Sequence, residues 1–76
     1  MQNLETFSLL QKHEVLSNLL CRDGIALEYN GTDLPSGVVP PTIIEGRIKE
    51  VRDSTFVFEF RDGTQGVLSI SEVIGI

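Results

Sequence analysis

Phe56, Phe58 and Phe60 alternate with Val57, Glu59 and Arg61, and no other stretch constrains this chain as tightly. Period-2 alternation of large apolar side chains belongs to a strand with one buried face, since successive Cβ atoms point to opposite sides. Asp62-Gly63 follows at once, and Asp-Gly between alternating runs predicts a hairpin because Gly accepts positive φ without a Cβ clash. The return strand is expected over Gly66–Ile70, with Leu68 and Ile70 on one face and Val67 and Ser69 on the other. A short Ser71-Glu72 break separates it from a last apolar strand, Val73–Ile76. Upstream, Ile44 and Ile48 share a parity that Val51 does not, which predicts a bulge near Lys49-Glu50. Strong bending, short connections and Gly46 and Gly66 inside strands suit a small sheet that curls into a barrel.

Ahead of this, Asn3–Leu20 lacks Gly and Pro, is rich in helix formers and reads as a helix over residues 3–20. Asn3 is one candidate cap, and Ser8 with Gln11 forms a second, a capping box. Two apolar stripes run along it: Leu4, Phe7 and Leu10, and Leu9, Leu16 and Leu20. A helix lying on one small barrel needs a single stripe, so the second points to a further contact. Gly24 is the expected stop. Ile25, Leu27 and Tyr29 alternate as a half-buried strand, and Thr32–Pro41 reads as a stiff loop limited by Pro35, Pro40 and Pro41. The fold class expected is therefore mainly β with an N-terminal helix: one domain over 1–76, with a five-stranded, strongly bent antiparallel barrel over 25–76.

Length and charge narrow the function. A chain of 76 residues buries only about 60% of the surface its unfolded form exposes, so it needs support. Cys21 is the only cysteine and His13 the only histidine, which removes an intrachain disulfide or a structural zinc cage. Oligomerisation is the support that remains. A net charge of −5 and scattered basic residues argue against a general nucleic-acid binder or a polybasic membrane surface. No apolar run approaches the ~18 residues of a membrane span, and the Met-Gln-Asn-Leu-Glu opening has no basic leader, so a cytoplasmic protein without membrane contact is expected.

Catalytic constellations are not expected. His13 and Cys21 on one helix would stand about 12 Å apart along its axis, too far for a nucleophile and its base. Glu45, Asp53, Glu59 and Asp62 read as a solvated rim, and the glycines lack phosphate-loop spacing. The phenylalanine stripe could stack bases, but its parity makes it core. No catalytic residue, metal site or cofactor is expected, and the chain does not read as an enzyme.

One helix and five strands, with Gly46-Arg47-Ile48 followed by Val51-Arg52-Asp53 and a closing Ile70-Ser71-Glu72-Val73-Ile74, resembles the Sm-like fold over roughly Leu9–Ile76. That family holds the eukaryotic Sm proteins and the bacterial Sm-like RNA chaperone. The resemblance implies a homo-oligomeric ring of roughly five to seven subunits, in which the fourth strand of one pairs with the fifth of the next. It places the subunit interface at Val67, Leu68, Ile70, Val73, Ile74 and Ile76. It places RNA or single-stranded nucleic-acid contacts on two loops, at Asp53, Ser54, Thr55 and Phe56 and at Ser69 and Ser71. Val57 stands where many Sm proteins carry a base-reading Asn, and Leu68-Ser69-Ile70 where the family places Arg-Gly or Lys-His. The cationic and base-reading groups are missing, so weak nucleic-acid binding is expected. The alternative is an SH3-like protein-interaction or assembly module without nucleic-acid activity, its partner another protein.

Overall fold

The structure is a computed structural model and describes residues 1–34 and 38–76. Among the described residues are one helix, α1 (Leu9–Asn18), and five strands: β1 (Ile25–Tyr29), β2 (Thr42–Val51), β3 (Thr55–Phe60), β4 (Gln65–Ser69) and β5 (Val73–Gly75). A single 3-10 turn, Ile70–Glu72, joins the last two. The strands form one antiparallel sheet in the order β4-β3-β2-β1-β5.

Phe56 and Phe58 are fully buried, as the alternation requires, while Phe60 is half-buried at the rim of the core. Their rings continue from Tyr29 in a chain of edge-to-face contacts with centroids 6.5, 6.2 and 5.3 Å apart. Such pairs contribute about 0.5–1.5 kcal/mol each beyond their burial. Around them close Leu4, Leu16, Leu27, Ile44, Ile48, Leu68, Ile70 and Val73. The β3–β4 hairpin turns at Gly63, whose φ of 89° is open to glycine. Thr64 donates from both its hydroxyl and its amide to Asp62 Oδ1, at 2.7 and 3.0 Å, which holds that carboxyl below the usual range. The expected bulge in β2 is present: the register with β3 shifts between Ile48 and Glu50.

Two expectations need correction. The first is the helix over 3–20. It begins at Leu9 and ends at Asn18, started by the Ser8–Gln11 capping box rather than by Asn3. Asn3 instead accepts the Glu5 amide through its side chain and bridges to Gly75. Backbone ladders outcompete the helix here: Gln2 N donates to Ile76 O (2.6 Å), Ile76 N to Gln2 O (2.9 Å) and Leu4 N to Ile74 O (2.9 Å). Residues Gln2–Leu4 thus add a short extended segment to the outer edge of β5. The helix also stops before Gly24, and the chain turns at Cys21, which has a positive φ of 62°.

The second correction concerns the barrel. Among the described residues β4 and β5 are not paired, and the sheet is not closed. A three-residue turn carries the chain straight from one to the other, and side chains rather than a ladder tie the two ends together. The expected Thr32–Pro41 loop falls partly on Pro35, Ser36 and Gly37, which lie outside the described residues.

Close backbone approach between β2 and β3 rests on Gly46, opposite Phe60. A Cβ there would sit 1.9 Å from Glu59 O, a backbone atom that cannot step aside. Gly46→Ala should therefore cost about 3 kcal/mol or more in urea unfolding, above the common range for overpacking. A loss under ~1 kcal/mol would contradict this packing.

Candidate functional site

The fold brings the two expected loops side by side. Arg52 N donates to Thr55 O (2.8 Å) to close the first, and Thr55 stands opposite Ser69 in the β3–β4 register. Four consecutive residues of the second loop are each held by a different element. Ser69 N donates to the Tyr29 hydroxyl (2.8 Å) and Ile70 N to Ser54 O (3.0 Å). Ser71 O accepts from Lys12 Nζ (2.8 Å), and Glu72 O accepts from Asn30 N (2.9 Å). Asp53, Ser54, Thr55, Ser69 and Ser71 therefore border one rigid patch.

Its chemistry is mostly neutral. The hydroxyls of Ser54, Thr55, Ser69 and Ser71 make no hydrogen bond among the described residues and remain available. Phe56 differs from the other candidates: its ring is fully buried against Tyr29 and Phe58, so it offers no face on which a base could stack. A shallow cleft of about 300 Å³ lies to one side, between Leu9, Leu10 and His13 of α1 and Asp53. A polar hollow of about 330 Å³ lies by Asn30, Asp33, Ser69 and Glu72, lined by carboxylates and no cation. Cys21 is exposed and beyond the end of α1, apart from His13.

Lys12 was not legible as part of this patch. It is 5% exposed, on the buried side of α1 one turn before Leu16, and places an ammonium beneath the second loop. The signal was its phase: Lys12 falls between Leu9 and Leu16 on one stripe, where an apolar residue would be ordinary. Three of the other five cations are paired. Arg47 pairs with Asp23, Arg52 with Glu50, and Arg61 with Glu45 at 3.4 Å. The outer face of the sheet is thus locally neutralised rather than basic.

The interface candidates divide as well. Leu68, Ile70 and Val73 are buried in the chain's own core, whereas Val67 is 52% exposed and Ile74 and Ile76 are half-buried. Phe60 N donates to Thr64 O, so alternation turns the peptide groups of Phe58 and Phe56 toward Gly66 and Leu68. Those of Gln65 and Val67 then point away from the sheet. No family model matches the chain, and no significant similarity to a curated protein or a solved structure was found.

Tyr29 supplies the testable element of this geometry. Its hydroxyl donates to Asp33 Oδ1 (2.7 Å) while accepting from Ser69 N. Burial chiefly, with the Asp33 carboxylate, pushes its pKa up to about 12, against a lowering by the Ser69 amide. The folded state keeps this proton where the unfolded chain, near pH 10.0, loses it. Stability from this group is then complete below pH 10.0 and falls away as pH rises toward about 12. Tyr29 is the only tyrosine, so ultraviolet titration reads it directly. Tyr29→Phe should cost about 1–3 kcal/mol, because the Ser69 amide is left without its partner. A titration midpoint near the free value would show the hydroxyl to be solvated.

Proposed function

We propose that this chain is an Sm-like subunit of a homo-oligomeric ring of roughly five to seven copies, a weak binder of single-stranded RNA. The observation that carries the reading is the strand order: β4 and β5, the strands that the resemblance joins between subunits, stand at opposite ends of the sheet. The β4 edge supports it further. Gln65–Ser69 contains no charge and no proline, the usual devices that stop edge strands from pairing. The hydroxyl-lined patch supports contact with a polar strand, and Lys12 supports a modest attraction for phosphate.

Weak binding follows from charge. Nucleic-acid affinity draws heavily on neutralising phosphates and releasing counterions. Here three arginines are paired, Asp53 and Glu72 flank the patch, and every copy brings a net charge of −5. The same observations, together with Leu9 and Leu10 exposed on α1, favour the second reading, a protein-interaction module.

Light scattering tests the assembly: a mass of five to seven times 8.4 kDa is expected, and a monomer at micromolar concentration would end the ring reading. Ile74→Lys should lower that mass. Fluorescence anisotropy with U-rich, A-rich and mixed oligonucleotides should give dissociation constants no tighter than about 10 μM at physiological salt, in the non-specific range. Nanomolar affinity would refute the weak-binding account, and no binding by an intact ring would favour the protein-partner reading.

A further inference from the structure

The two sheet edges are not equivalent. β4 presents the Gln65 and Val67 peptide groups outward, while the outward groups of β5, at Ile74 and Ile76, are taken by Gln2 and Leu4. Gly75 is so closely covered that a Cβ there would meet Met1 Sδ at 2.9 Å. Leu4 anchors the segment, its side chain fully buried in the core.

We propose that the N-terminal segment Gln2–Leu4 is an intramolecular competitor for the β5 edge, displaced when the β4 edge of a second copy pairs there. This rests on the ring reading. The segment already forms the antiparallel contact that an incoming strand would make, and the same peptide groups cannot serve both. Three backbone hydrogen bonds would be given up, and the N–H and C=O groups of Gln65 and Val67 can replace them. Pairing would also cover Val67, now half-exposed. Against it stands Leu4, whose burial favours the closed state.

The turn between Leu4 and Ser8 is the natural hinge. It is held by Phe7 N to Leu4 O (3.0 Å) and by the Asn3 side chain on the Glu5 amide (2.8 Å). The Ser8–Gln11 capping box starts α1 independently of it. A segment closed about nine-tenths of the time would raise the apparent dissociation constant of the assembly about tenfold, since only the open fraction is competent.

The test compares the wild-type chain with Gln2→Pro, which removes the amide donating to Ile76 O, and with a chain lacking Met1–Asn3. Gln2 is exposed and Leu4 is kept in both variants; circular dichroism checks the fold. Light scattering over a concentration series reads assembly, and amide exchange at Ile76 in dilute protein reads the segment. A protected Ile76 amide in wild type, with both variants assembling at about tenfold lower concentration, is the expected result. Free exchange at Ile76, or identical assembly of wild type and Gln2→Pro, would overturn the competitor and leave the ring standing. If no chain assembles at any concentration, the ring reading fails and the competitor falls with it.

Discussion

The Tyr29 hydroxyl is where the two ends of an open sheet are held in position. β1 lies beside β5 at one end, and Ser69 closes β4 at the other. No ladder runs between them, so the Ser69 amide would be left unpaired at the edge of an apolar core. Tyr29 reaches across and accepts it, and Asp33 in turn fixes the phenol's proton. An orphaned donor in such a place costs more than an ordinary hydrogen bond yields, so the closeness of the two ends is stabilised by this tie. The same ring begins the edge-to-face series through Phe56 to Phe60, linking the polar tie to the apolar core.

Much of the fold was legible because period and turn chemistry are local. The phenylalanine parity, the Asp62-Gly63 hairpin, the β2 bulge and the Ile25–Tyr29 strand all fell where the residues placed them. The N-terminal residues did not, since Leu4 fits a helical stripe and an extended edge equally well. What decides is a ladder to Ile74 and Ile76, some seventy residues away, which no local pattern records. Tyr29 read simply as an inward strand residue, and its polar role depends on where Ser69 arrives. Lys12 was hidden for the same reason: its acceptor is a carbonyl fifty-nine positions further on.

The candidate site was legible as two loops but not as a chemistry. Pattern resemblance named residues, and the geometry sorts them into outward hydroxyls and a buried ring at Phe56. Hydrogen bonds at Ser69, Ile70, Ser71 and Glu72 hold the second loop in place against the rest of the fold. Its charge is another matter: the single ammonium beneath it answers two flanking carboxylates. Such a surface carries little positive charge with which to neutralise phosphate.

Assembly through the β4 edge is the central claim, and amide exchange along β4 at increasing protein concentration tests it most directly. In dilute protein, Gly66 and Leu68 should exchange slowly and Gln65 and Val67 quickly, following the alternation of the ladder. As concentration rises, the Gln65 and Val67 amides should become protected while their neighbours do not change. Fast exchange at Val67 in a demonstrably oligomeric sample would show that the copies meet through some other surface.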